Sequence, residues 1–322
     1  MNFQNRINYQ GNLERLLIKV CEDYKLDQYR SHKVIVQGYE DFNLILTTNN
    51  GKFFVKIYGA FRDEKECRRY IEVIKTALNA GVSHPNFYKS NQGYLYKIEL
   101  DGKIDRLSVF EFVNGKTFFE LKLKPTKEDA EFLIRQTAII NNIQLKPNFV
   151  YDSWAIVNFL KEYNEKKEVL NEKRKQLVVS ALRDFKRVDL SKLPHAFIHG
   201  DLIKPNLMKD NMEKIFIIDF AVANYQPRII ELAVLFNDVF FDKDNVINTK
   251  KYYDLILKEY QKYLSLTDYE LKSLPILIRA GHAMHLLRAN YEKVINKNIS
   301  QENDYFLQLG EIGLTQTQSF LI

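Results

Sequence analysis

The chain has 322 residues, of which 46% are hydrophobic and 27% are charged, a composition typical of one large globular domain or two smaller ones. The two cysteines are too few for a disulfide framework, and the first residues contain no apolar segment of a signal peptide, so we expect a cytoplasmic protein. No long uninterrupted apolar run is present, which argues against a membrane partner. The net charge of +6 does not predict nucleic-acid binding, because residues 161–187 alone carry nine basic and five acidic side chains, a mixed-sign pattern typical of a solvated helix face.

The first 115 residues are predicted to form a β-rich region with one helix. Asn49-Asn50-Gly51 lies between two runs of β-branched and aromatic residues and is a strong hairpin signal. Ile71, Ile74 and Leu78 recur at helical spacing, so a helix is predicted around them. In chain order, the predicted elements are strands at 34–48 and 52–59, a helix at 61–82, and strands at 94–100 and 106–113.

The chain after Gly115 is predicted to be mainly helical. Thr126 and Asp129 have the spacing of a capping pattern at a helix start. A continuous apolar run at 215–220 reads as a strand with an aspartate near its end. Helical periods cover 126–145, 153–187, 250–264, 273–297 and 302–317. The sequence therefore predicts an α+β fold with an N-terminal lobe at 1–115, a junction at about 111–115 and a larger helical lobe at 116–322.

One stretch, FIHGDLIKPNLMKDNMEKIFIIDFAVA at 197–223, carries polar residues at spacings that suggest chemistry. If the chain reverses direction at KDNMEK, the side chains of Asn206 and Asp219 approach each other at one end of a hairpin. An amide oxygen and a carboxylate suit Mg²⁺, which keeps several waters and takes further ligands from phosphates. Asp201 would lie beside such an ion and accept a proton from an attacking hydroxyl, which together are the parts of a phosphoryl-transfer site.

This stretch resembles the catalytic loop and metal loop of the aminoglycoside phosphotransferase and choline kinase-like superfamily, and its homoserine kinase branch has a similar length. The resemblance implies a protein-kinase-like bilobal fold and an ATP- and Mg²⁺-dependent small-molecule kinase. It implies that Asp201 is the catalytic base or positions the hydroxyl, and that Asn206 and Asp219 hold the metal. Glu231 stands where the family usually has an aspartate, and His199 is expected to pack and hold the loop.

The resemblance also assigns a nucleotide site in the first lobe. Lys56, in FFVKIY, would contact the α- and β-phosphates. The segment 36–43, with the single glycine Gly38, would cover the phosphates. Glu72 is the first choice for the helix acid that orients the lysine, with Glu66 as the second. The Glu111 carbonyl and the Val113 N–H would bind adenine.

The acceptor is predicted to be a small molecule with a hydroxyl group, such as an amino alcohol, an amino acid or a sugar. The stretch from Asp219 to Asp244 is acidic and would suit an amine-bearing acceptor, through Glu231, Asp238, Asp242 or Asp244. The alternatives are an aminoglycoside-type antibiotic phosphotransferase, a protein Ser/Thr kinase of the same fold and an inactive nucleotide-binding module. A phosphate contact or a solvated position is equally compatible with Lys204 in the loop.

Overall fold

The computed structural model of the protein describes residues 3–35 and 41–317. Its contacts divide the chain into two compact units. One unit comprises Met1–Gly115 and Asp210–Ile218, and the other comprises Lys116–Lys209 and Asp219–Ile322. The division after Gly115 falls at the predicted junction, but the assignment of Asp210–Ile218 to the first unit was not expected from the sequence.

The first unit is built on a five-stranded antiparallel sheet with the order β1-β2-β3-β5-β4. Asn49 and Asn50 form the turn that the sequence predicts, and Thr48 pairs with Gly51 across it. Alternate residues of β2 are buried, so one face of the sheet carries the core of this unit. The strands are β1 Tyr29–Ile35, β2 Phe42–Thr48, β3 Gly51–Ile57, β4 Tyr96–Leu100 and β5 Lys103–Glu111.

Two helices accompany this sheet, whereas the sequence predicted one. Helix α2, Glu64–Asn79, is the predicted helix and begins with a capping box between Asp63 and Glu66. Helix α1, Leu13–Tyr24, was missed, although its buried residues follow helical spacing and Asn12 caps its first turn.

The second unit is mainly helical. Thr126 and Asp129 form the predicted capping box at the start of α3. The single helix predicted over 153–187 is instead two helices, and Asn171 caps the second one. The helices are α3 Lys127–Asn141, α4 Phe159–Lys166, α5 Glu172–Phe185, α6 Ile229–Leu235, α7 Val246–Tyr260, α8 Asp268–Val294 and α9 Gln301–Thr317. Helix α6 continues directly into a π-helical turn at Phe236–Phe240.

Short strands flank the loops that carry the polar motif. Strands β7, His195–Ile198, and β10, Asn224–Pro227, pair antiparallel. Strand β8, Leu207–Asp210, follows the first loop and is joined by a turn to β9, Ile215–Ile217, so the predicted chain reversal is present. Gly115–Thr117 forms the remaining short strand, β6.

Helices α8 and α9 pack very closely. A Cβ atom on Gly310 would lie 2.4 Å from the backbone nitrogen of Leu286, and one on Gly313 would lie 2.3 Å from a ring nitrogen of His282. Glycine at these two positions therefore lets the helices approach. Among the described residues, no helix is long and apolar enough to cross a membrane.

Candidate active site

The loop between β7 and β8 carries Asp201. Gly200 precedes it with φ +85°, a conformation that glycine adopts without strain. The ring of His199 is fully buried 4.2 Å from that of Phe220, and its Nδ1 accepts the amide hydrogen of Asp201 at 3.2 Å. His199 therefore holds the loop, as the sequence predicted.

Asn206 lies against Asp201. A 3-10 turn at Lys204–Asn206 brings its side chain back, so that its Nδ2 donates to Asp201 Oδ2 at 2.7 Å and to the Asp201 carbonyl at 3.0 Å. Because the nitrogen is used within the loop, the amide oxygen of Asn206 is the atom that remains for a cation.

Asp219 follows β9 in a left-handed conformation, with φ +65°, and its Oδ1 accepts the amide hydrogen of Ala221 at 3.3 Å. The pKa of Asp201 is raised well above its usual range by burial first and then by the charges of Asp152 and Asp219. Within the second unit, Asp201 thus lies against Asn206 and close enough to Asp219 for their charges to interact.

Two buried acids hold the backbone of this loop. Glu231 on α6 is fully buried and accepts the amide hydrogen of Gly200 at 3.2 and 3.3 Å. Asp238, in the π-helical turn, accepts the amide hydrogen of Lys204 through Oδ1 at 2.7 Å. Burial raises the pKa of Glu231 to about 8, although bonds from the backbone lower it.

The four acids that the sequence analysis names as possible binding groups for an amine-bearing acceptor differ in their surroundings. Glu231 binds loop amides, Asp242 pairs with Lys124 at 3.0 Å, and Asp244 pairs with Lys243 at the surface. The Oδ2 atom of Asp238 is buried and has no hydrogen-bond donor among the described residues. Asp238 is the member of this set with an unused oxygen inside the site region.

Lys204 is not a solvated loop lysine. Its ammonium donates to the hydroxyl of Tyr305 at 3.2 Å, so helix α9 contacts the loop that carries Asp201. Asp152 is a further acid that sequence reasoning missed. A single aspartate in a loop carries no distinctive sequence signal.

In the first unit, Lys56 on β3 is buried and pairs with Asp41, with 3.0 Å between Nζ and Oδ2. The expected helix partners lie elsewhere. Glu72 is exposed and forms no ion pair within 3–35 and 41–317, and Glu66 is exposed and caps the start of α2. The predicted pairing of Lys56 with Glu72 or Glu66 is therefore replaced by one with Asp41, which lies just before β2.

The remaining predicted nucleotide contacts are Gly38 in the phosphate-covering segment, and Glu111 and Val113 at the end of β5 and just after it. Gly38 falls outside the described residues. Glu111 ends β5 and donates its amide hydrogen to the Asn86 carbonyl at 2.9 Å. The amide of Val113, two residues later, makes no hydrogen bond within the part of the chain that the structure describes, so it is available to a ligand.

The donor set fits a hard cation that takes few protein ligands. Among the described residues no three His, Cys, Asp or Glu side chains are grouped to hold a metal, so a metal bound by such a cluster is not supported there. One amide oxygen and one carboxylate, from Asn206 and Asp219, leave positions for water and phosphate oxygens, which is typical of Mg²⁺.

Comparisons with known proteins identify a family and several similar proteins. The model of a phosphotransferase enzyme family matches residues 31–264. A homoserine kinase of Agrobacterium fabrum is 24% identical over 84% of this chain and 82% of its own length. The structure of a microcompartment-associated aminopropanol kinase has a TM-score of 0.70 at 13% identity, covering 95% of this chain and 97% of its own. An amicoumacin kinase in complex with AMP-PNP and Ca²⁺ has a TM-score of 0.67 at 16% identity, covering 99% and 97%.

Proposed function

Since the chain belongs to the phosphotransferase enzyme family and transfers phosphate to a hydroxyl group of a small molecule, we propose that Asp201 receives the proton of that hydroxyl. The observation that carries this proposal is the convergence of Asp201, Asn206 and Asp219 in one site. Asn206 donates to one carboxylate oxygen of Asp201 and fixes its orientation, which leaves the other oxygen for the acceptor.

We further propose ATP as the phosphate donor and Mg²⁺ as the metal. Asn206 and Asp219 would hold the ion through an amide oxygen and a carboxylate. When bound, Mg²⁺ neutralises the developing charge on the transferred phosphoryl group. The relative in complex with AMP-PNP and Ca²⁺ supports a nucleotide and a divalent cation in this family.

The nucleotide would be bound by the first unit. Lys56 presents a buried ammonium whose charge is balanced by Asp41, which suits a contact with phosphate oxygens. The free amide of Val113 and the carbonyl of Glu111 would bind adenine, and the segment around Gly38 would cover the phosphates.

The acceptor is proposed to carry an amine as well as the hydroxyl. Asp152, Asp219 and Asp238 each raise the pKa of Asp201, after the larger effect of burial, so the region of the acceptor is negatively charged. The unused oxygen of Asp238 lies there, and the charge of Asp238 adds to burial in raising the pKa of Glu302. A protonated amine would add positive charge to this acidic region and supply a donor for Asp238 Oδ2. The relatives that act on homoserine and aminopropanol, by their names, support the same class.

The test is phosphoryl transfer from ATP by the full chain, with Mg²⁺, to acceptors that differ in one group. L-homoserine is compared with 4-hydroxybutyrate, which lacks the amine, and 1-amino-2-propanol with 1,2-propanediol. An aminoglycoside and a generic protein substrate test the alternatives. We expect kcat/KM to favour the amine-bearing member of at least one pair and activity to disappear when Mg²⁺ is chelated.

Asp201→Asn tests the proton acceptor, and Asp244→Asn, an exposed acid paired only with Lys243 among the described residues, is its matched control. Loss of a positioned base lowers kcat by about 10²- to 10⁴-fold, whereas the control should keep wild-type turnover. Equal turnover by Asp201→Asn and wild type would remove Asp201 from the role, and transfer to the protein substrate alone would favour a protein kinase. ATP-dependent stabilisation without transfer to any acceptor would contradict the proposed activity.

A further inference from the structure

Asp41 is the centre of a buried charge network around Lys56. Its side chain is 5% exposed. Oδ2 lies 3.0 Å from the ammonium of Lys56, and Oδ1 accepts from Arg62 Nε at 2.9 Å and from the Gly59 amide at 3.0 Å. Each carboxylate oxygen therefore has its own donors, and the negative charge is shared between two cations.

The strand pairing fixes this carboxylate in place. Phe42 of β2 pairs with Ile57 of β3, so Asp41 lies opposite the end of β3, where the Gly59 amide meets it. Arg6 also donates to the backbone carbonyl of Asp41 at 3.1 Å. The position of Asp41 follows from the register of the β2–β3 hairpin and does not require a helix to approach.

Helix α2 contributes an aromatic ring at this point. The ammonium of Lys56 lies 4.9 Å from the ring centroid of Tyr70, a cation–π contact. Glu72, two residues along, is exposed, because the helix turns it away from the buried face that carries Tyr70. The helix therefore packs against the lysine without supplying the carboxylate that pairs with it.

We propose that Asp41 is the residue that positions Lys56 for contact with the nucleotide phosphates, in the role that sequence reasoning gave to an acid of helix α2. The inference rests on the proposed phosphate contact of Lys56. A buried ammonium needs an opposite charge to remain protonated, and a fixed carboxylate also restricts the rotamers of the long side chain. Burial would raise the pKa of Asp41, but the charges of Lys56 and Arg62 lower it overall, so the carboxylate stays ionised.

The experiment measures ATP binding and the two Michaelis constants for Asp41→Asn, Lys56→Met, their double variant and the matched control Glu72→Gln. For Asp41→Asn we expect the Kd and KM of ATP to rise about tenfold or more, because a charge-assisted contact is lost, while KM of the acceptor changes less than about twofold. Glu72→Gln should leave all three constants at wild-type values. In the Lys56→Met background, Asp41→Asn should add no further loss of ATP affinity.

The outcomes separate this inference from the proposed function. If Lys56→Met keeps wild-type ATP affinity and turnover, the phosphate contact of Lys56 is wrong. If Lys56→Met loses ATP affinity but Asp41→Asn does not, only the role of Asp41 is overturned. The role of Asp41 is also overturned if Glu72→Gln raises KM of ATP, or if the losses of ATP affinity from Asp41→Asn and Lys56→Met are additive. Removal of one partner of a buried pair can unfold a protein, and thermal unfolding will detect this. In that case the double variant, which buries neither charge, is compared with Lys56→Met, and a lower ATP affinity in the double variant overturns the inference.

Discussion

Glu231 allows a direct test of how the loop that carries Asp201 is held. Its buried carboxyl group has a pKa of about 8, because burial outweighs the bonds from Gly200 and His199 that favour the ionised form. In the unfolded chain the group titrates near its ordinary value of 4.5. Between these values the folded protein binds one more proton than the unfolded chain, so its unfolding free energy falls as the pH rises.

The stabilisation from this site is expected to be fully present below pH 4.5 and to be lost as the pH rises through 8. The loss is about 1.4 kcal/mol per pH unit and about 5 kcal/mol over the window. Glu231→Gln keeps an oxygen acceptor for the loop amides but does not ionise. Its unfolding free energy relative to wild type should therefore rise by about 1.4 kcal/mol per unit over this range.

Urea unfolding at a series of pH values between the two pKa values measures this difference directly. Glu168→Gln, on the exposed surface, is the control and should follow wild type at every pH. Glu231→Gln should also retain most of the turnover, since the amides of the loop keep their acceptor. Parallel stability curves for Glu231→Gln and wild type would refute the reasoning, because they would show that Glu231 is ionised to the same extent in both states.

Other sites give further predictions. Gly310→Ala should lower the free energy of unfolding by about 1–3 kcal/mol, although helix propensity alone favours alanine by about 1 kcal/mol. Gln308→Ala, on the exposed face of α9, is its control. Equal urea midpoints for the two variants would contradict the close contact between α8 and α9. Burial and nearby positive charges lower the pKa of His282, so wild type should lose about 1.4 kcal/mol per unit as the pH falls below about 6.5, and His282→Leu should show a shallower loss in acid unfolding. Asn224 forms hydrogen bonds with both the N–H and the carbonyl of Val150, in the loop that also carries Asp152. Asn224→Ala should therefore lower the free energy of unfolding by about 1–3 kcal/mol and raise KM of the acceptor. An unchanged KM would show that this loop does not contribute to acceptor binding.

The elements with strong local signals were predictable from the sequence. The Asn49-Asn50-Gly51 turn and the capping box at Thr126 are encoded within a few residues, and both are present. The split between α4 and α5 was missed because helical periods continue on both sides of the break, where Asn171 starts a new helix. Helix α1 was overlooked, although apolar residues at helical spacing and the Asn12 cap encode it locally as well.

The same distinction between local signals and tertiary packing applies to the site residues. Asp201, Asn206 and Asp219 lie in one short segment with a tight reversal, and the hydrogen bond between Asn206 and Asp201 is formed within that segment. The partner of Lys56 depends instead on strand register and on which side of a helix faces the sheet. A shift of two positions along α2, from Tyr70 to Glu72, exchanges a buried ring for an exposed acid.

The origin of the lysine's counterion also bears on how such chains are recognised in genomes. A survey that requires the lysine to pair with an acid of the following helix would classify this protein as a pseudokinase. Asp41 lies fifteen positions upstream of Lys56, across a hairpin of defined length, and a search profile written around that interval would retrieve chains with an acid just before the strand that pairs with the lysine strand.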